Sequence, residues 1–127
     1  MQTLKENKMN KPETILRQRV CNYLLMNYPN TPFSIDFGAD VRMSIGDAKK
    51  RKELLGKWSK GFPDITIYSP NGAVLIELKA TKTVVKSKHT ETQRAYHEIL
   101  RKLGYKVEFA CGYEEAISLI NCSLNRD

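Results

Sequence analysis

The 127-residue chain reads as a single-domain α/β protein whose mixed sheet is flanked by helices, in the order α-β-β-β-α-β plus a closing helix. Three observations predict this. Apolar residues recur at helical spacing near both ends and once in between. Short alternating or fully apolar runs mark four strands among them. No repeat, low-complexity stretch or shift of composition marks a second domain, and the length suits one core.

Residues 1–10 are polar and expected to be flexible, leaving one domain over 11–127. A helix is expected from Asn10-Lys11-Pro12-Glu13. Asn10 can cap it, Pro12 suits a first turn, and Glu13 stands where a capping box places its acid. Leu16, Val20, Tyr23, Leu24 and Asn27 form its inner stripe, and Tyr28-Pro29-Asn30-Thr31-Pro32 ends it. Phe33 to Phe37 alternates as a half-buried strand does. From Gly38 to Gly61 core candidates are few, which is the mark of a functional loop; Asp47 to Leu55 can form a short helix within it, ended by Gly56.

Ile65 to Tyr68 is a short strand, and Ser69-Pro70-Asn71-Gly72 is a turn. Ala73 to Lys79 is apolar on both faces until its end, as a central strand is, and the two strands form a hairpin. Lys82 to Lys88 is a basic loop. Thr90 to Leu103 is a helix with Tyr96, Ile99, Leu100 and Leu103 inward, stopped by Gly104. Lys106 to Ala110 is a strand, and Tyr113 to about Cys122 a helix.

Composition narrows the function. No apolar run nears the roughly 18 residues of a membrane span, and the N-terminus has no signal-peptide core, so no membrane partner is expected. Cys21, Cys111 and Cys122 are too few and too scattered for a disulfide framework. They read as reduced, buried thiols in a cytoplasm. Lys and Arg number 21 against 14 Asp and Glu, a net charge of +7 that points to nucleic acid. The charge is uneven. Residues 42–60 carry seven basic and two acidic groups, or +5, and residues 79–106 carry eight and two, or +6. Residues 61–78 hold no Lys or Arg but contain Asp64 and Glu77.

The chemistry concentrates in the hairpin. Antiparallel strands bring Asp64, at the start of one, beside Glu77 and Lys79, at the end of the next; period two puts Glu77 and Lys79 on one face. Paired carboxylates repel unless a cation lies between them, and hard oxygen ligands suit Mg²⁺ or Mn²⁺. Such a cation polarises a phosphoryl oxygen and acidifies water.

Gly61-Phe62-Pro63-Asp64, then Glu77-Leu78-Lys79, then Gln93 ten residues before Leu103-Gly104, resemble the virus-type replication-repair nuclease (VRR-NUC) domain of the PD-(D/E)XK nucleases. The resemblance runs from about Glu13 to Ala116. It implies a restriction-endonuclease-like core and phosphodiester hydrolysis with Mg²⁺ or Mn²⁺. Asp64, Glu77 and the Leu78 carbonyl are then metal ligands, and Lys79 the catalytic lysine. Glu13 joins the metal site, serves the capping box, or does both. Gln93 positions Lys79 or the attacking water, or is a polar first-turn residue. Short stand-alone members resemble Holliday-junction resolvases and act as homodimers. The expectation is therefore a structure-selective endonuclease for branched DNA, in a bacterial or phage-infected cytoplasm. Two alternatives are an inactive DNA-binding module and a nuclease subunit of a restriction or repair complex.

Two basic flanks are the expected DNA contacts: Lys49, Lys50, Arg51, Lys52, Lys57 and Lys60 with Arg42, and Lys82, Lys86 and Lys88 with Arg94, Arg101 and Lys102. The chain has no recognition helix, zinc finger or aromatic RNP motif, which favours reading of backbone and shape. Trp58 either stacks on an unpaired base or packs beneath the long loop. His89 and His97 read as surface polar residues, and Tyr96 and Tyr113 as core.

Overall fold

The computed structural model describes residues 12–36, 44–59, 62–80 and 88–124, with backbone alone at 88–90. The N-terminus expected to be flexible, the Asn10 cap, Phe37 and the basic loop before residue 88 lie outside the described residues. Helix α1 spans Pro12–Asn27, β1 Phe33–Ile35, α2 Ile45–Leu55, β2 Ile65–Ser69, β3 Gly72–Lys79, α3 Lys88–Lys102, β4 Lys106–Cys111 and α4 Tyr113–Leu124. A 3₁₀ turn, Gly56–Ser59, follows α2. The result is an α/β fold with a four-stranded mixed sheet in the order β1-β2-β3-β4. The β1–β2 and β2–β3 pairs are antiparallel, and β3–β4 is parallel.

The sheet forms as its patterns dictate. Gly72, at φ +117°, adopts a conformation open to glycine and closes the β2–β3 hairpin. β3 is buried on both faces, as its near-continuous apolar run requires. Its even positions, Val74, Ile76 and Leu78, join Leu16, Val20 and Leu24 of α1 and Ala116 and Ile120 of α4 in the main core. Asn121 of α4 ties these helices together, its Oδ1 accepting from the Tyr23 and Tyr28 hydroxyls at 2.9 and 2.7 Å. Its odd positions, Leu75, Glu77 and Lys79, face the other side, which α3 covers.

Several expectations need correction. The inner stripe of α3 is not Tyr96, Ile99, Leu100 and Leu103. Gln93 and His97 are buried, Tyr96 and Leu100 are half-buried, and Ile99 and Leu103 are exposed. The stripe is rotated because the face opposite α3 carries Glu77, which takes polar partners. His97 is thus no surface residue but fully buried. Asn27 is exposed, bonding the Tyr23 carbonyl rather than the core. Of the thiols, Cys21 and Cys111 are half-buried and Cys122 is exposed. β1 stops at Ile35, after which Asp36 still donates its N–H to the Asp64 carbonyl at 2.9 Å.

Candidate metal centre and nucleic-acid interface

The β2–β3 register pairs Ile65 with Ile76 as its last rung. One step further sets Asp64 opposite Glu77, and Pro63 opposite Leu78. Opposed antiparallel residues share a face, so both carboxylates project together. Pro63 explains how the rung ends. The Lys79 carbonyl accepts from Gly112 on the β4 side at 2.8 Å, so the neighbouring Leu78 turns its N–H and C=O toward β2. There Pro63 has no N–H to offer the Leu78 carbonyl. The Leu78 N–H goes instead to Asp64 Oδ2 at 2.7 Å. The Pro-Asp pair thus ends the ladder, fixes Asp64 and leaves the Leu78 carbonyl without its ladder donor.

Glu77 and Lys79 are each only 3% exposed. Gln93 Nε2 donates to Glu77 Oε2 at 3.0 Å. His97 Nε2 stands 3.8 Å from Glu77 Oε1, too far for a hydrogen bond, and its ring packs on Phe109 with centroids 4.7 Å apart. Glu77 Oε1 is buried with no hydrogen-bond partner among the described residues. From α1, Arg17 brings Nη1 to 3.7 Å from Asp64 Oδ1.

The electrostatics follow from burial. Loss of water raises the Asp64 carboxyl to about 8, helped by the Glu77 charge and a hydrogen bond to Glu77, and opposed by the Leu78 N–H and Arg17. Burial also raises Glu77, to about 7; the Asp64 bond and Lys79 pull it down, and Glu13 and Asp36 push it up. The pair titrates as a unit that holds a proton near neutrality. His97 is lowered to about 4 by burial and then by Arg101 and Lys79, so it is neutral at physiological pH.

A pH dependence results. Both carboxyls bind protons more tightly folded than unfolded. The stability this gives is complete below about pH 4 and is lost as pH rises through about 7 to 8. The melting temperature of the metal-free protein is expected to fall between pH 5 and pH 8. The slope is about 1.4 kcal/mol per pH unit for each proton released. Glu77→Gln should lessen it, by removing one titrating group and its charge at Asp64 while burial keeps Asp64 raised, and equal slopes in scanning fluorimetry of the two proteins would refute this account.

Among the described residues, no group of three or more His, Cys, Asp and Glu side chains is arranged to hold a metal ion. The structure brings together Asp64, Glu77, Leu78, Lys79 and Gln93. Glu13 is half-buried and felt at Glu77 as a charge. The donor set is two carboxylates and a backbone carbonyl. An orphaned carboxylate oxygen and a shared proton are what a hard divalent cation would relieve, with water filling the remaining positions.

Of the basic flank, Lys49, Lys50, Lys52 and Lys57 are exposed. Arg51 is engaged inside the protein, with Asp36 at 3.5 Å and the Ser59 carbonyl at 2.7 Å. Arg101 is likewise bonded, to the Val107 carbonyl. Lys60, Lys82 and Lys86 lie outside the described residues, and Lys88 opens α3 with its side chain undescribed. A cavity of about 460 Å³ lined by Asn71, Leu103, Tyr105, Lys106 and Ser123 lies at the turn end of the hairpin, away from these carboxylates.

Arg17, Asp36 and His97 are the site residues that sequence reasoning passed over. Arg17 had a signal, standing one turn after Glu13 on the face of Leu16 and Val20. His97 had one too, four residues after Gln93. The chain matches no protein-family model, no curated protein and no solved structure. No helix among the described residues is long and apolar enough to cross a membrane.

Proposed function

We propose that the chain is a metal-dependent, structure-selective DNA endonuclease with a restriction-endonuclease-like core of the VRR-NUC type. It acts on branched DNA such as a four-way junction, as a homodimer. The observation that carries the reading is the meeting of Asp64 and Glu77 on one rung, with buried Lys79 on the next same-face position. Lone buried charges are costly, so three at one strand end call for a functional reason. Two sites related by a two-fold axis would cut two strands symmetrically.

Asp64, Glu77 and the Leu78 carbonyl would hold Mg²⁺ or Mn²⁺, which supplies charge stabilisation at phosphorus-bound oxygen and a more acidic water. Gln93 fixes the Glu77 carboxylate by the hydrogen bond its side-chain amide donates. Arg17 fixes Asp64 from the other side. Lys79 Nζ offers positive charge where the attacked phosphate gains negative charge. The surrounding burial keeps these interactions strong.

The deciding experiment presents junction, flap, splayed arm and duplex to the purified chain, with and without Mg²⁺ or Mn²⁺. Metal-dependent cutting of branched DNA is expected. Salt-sensitive binding without cutting would favour an inactive module, and cutting only with an added partner protein a subunit of a complex. Replacing Lys49, Lys50 and Lys52 by Gln should lower the slope of log affinity against log salt by about 2 to 3, at about 0.9 per phosphate contact. Calorimetric metal binding should stay unchanged. An unaltered slope would remove α2 from the DNA interface.

A further inference from the structure

The segment from Ile45 to Ser59 is ordered yet adds nothing to the core: neither α2 nor the 3₁₀ turn has a buried residue. Ordering a chain segment loses roughly 1–2 kcal/mol of backbone entropy per residue, and a helix of this length is marginal alone. What it presents to the rest of the molecule is Arg51 and Trp58. Arg51 bonds Asp36 and lies 5.9 Å from the Phe62 ring. Trp58 meets Tyr96 of α3 edge-on, with centroids 5.3 Å apart at 71°. Phe62, which leads into Asp64, meets the same tyrosine at 5.3 Å. These three rings stand apart from the main core, which takes Tyr23, Tyr28, Phe33 and Tyr113 instead.

The cluster borders the carboxylates. Asp36 donates its N–H to the Asp64 carbonyl, and its charge is felt at both Glu77 and Tyr96. It is also open, since Trp58 is 37% exposed. The Lys57 ammonium lies over the indole face at 4.8 Å, where a flat ring would stack and from which a lysine can swing to a phosphate. The exposed Lys49, Lys50 and Lys52 give the same segment a polyanion's complement.

We propose that Trp58, backed by Tyr96 and Phe62, is a stacking platform for an unpaired base of a DNA strand, so that the favoured substrates carry a single-stranded nucleotide beside the cut, as a flap or splayed arm does and as a four-way junction does where a pair at its crossover opens. The position of the cut rests on the nuclease reading; the platform does not. A base paired within a duplex is already stacked on both faces and has none to offer, whereas every unpaired base has a π-face whatever its sequence. Specificity for branch points then comes from strand structure, not from base edges.

Trp58 is the only tryptophan of the chain, so its fluorescence reports this site alone. The wild-type protein is titrated in EDTA, where no cation supports hydrolysis. The titrants are a single-stranded oligonucleotide, a splayed arm and a blunt duplex of equal phosphate number. Strong quenching is expected with the first two and little with the duplex; equal quenching by all three, or none, overturns the proposal. Trp58→Ala should weaken single-strand binding about tenfold and Trp58→Phe much less, with duplex binding within about twofold of wild type in both. Equal loss on single strand and duplex, with an unchanged melting temperature, also overturns it. Wild-type quenching needs no variant to fold. Differential quenching in a protein that cuts nothing would retain the platform and reject the nuclease reading.

Discussion

Asp64→Asn and Lys79→Ala should each lower metal-dependent cutting of a junction by at least about 10²–10³-fold, the scale of losing one preorganised electrostatic group. DNA affinity should persist, because the lysines of α2 lie elsewhere. What sets this pair apart from two ordinary inactive variants is the different effect of each on the stability of the metal-free protein. Asp64→Asn keeps an oxygen for the Leu78 N–H and removes one of two repelling carboxyls. It also takes the charge from the carboxyl that the buried Arg17 faces, so the two effects oppose and at pH 8 the metal-free variant should melt close to the wild type. Lys79→Ala leaves Glu77 buried without a cation whose charge holds its carboxyl down, and should melt below the wild type. Cutting assays, anisotropy and melting curves on the same samples check all three parts. Full activity of either variant would remove the residue from the site.

Arg17→Met should destabilise the fold itself. Arg17 is 7% exposed and faces a carboxylate whose side chain is 20% exposed. Removing one partner of a buried pair leaves the other uncompensated, at a penalty of about 3–5 kcal/mol. Here the penalty is conditional. At pH 5 Asp64 and Glu77 take up protons and the loss should be small. At pH 8 it should be large, and saturating Mg²⁺ should restore part of it by mass action. Urea unfolding at the two pH values, with and without Mg²⁺, measures this. A penalty independent of both would mean that Arg17 matters for its packing and not for its charge.

The sheet was legible in the sequence because each strand carried its own signal: alternation in β1, a glycine turn after β2, and burial on both faces in β3. The hairpin register then followed, and with it the meeting of Asp64 and Glu77. What escaped was whatever depends on which way a helix turns. The apolar residues of α3 suggested an inward face at Ile99 and Leu103, and both are exposed. Periodicity assumes that the partner surface is apolar, but α3 lies over a charged one, and Gln93 and His97 answer to Glu77 instead. The same blindness hid Arg17. A buried arginine looks like a solvated one until the carboxylate it meets, far along the chain, is known. The resemblance to VRR-NUC nucleases pointed to Asp64, Glu77, Leu78 and Lys79 of the hairpin and to Glu13 and Gln93, not to the α1 cation beside them.

The bond from the Leu78 amide to Asp64 has a spectroscopic consequence. A backbone proton held at 2.7 Å by a carboxylate oxygen senses whether that carboxylate is charged. The nitrogen–proton cross-peak of Leu78 should therefore shift with pH as the acid pair titrates, and shift again when a cation replaces the proton. One resonance, with no attached probe, would follow loading of the site during a titration and keep it separate from DNA binding at the indole some residues away.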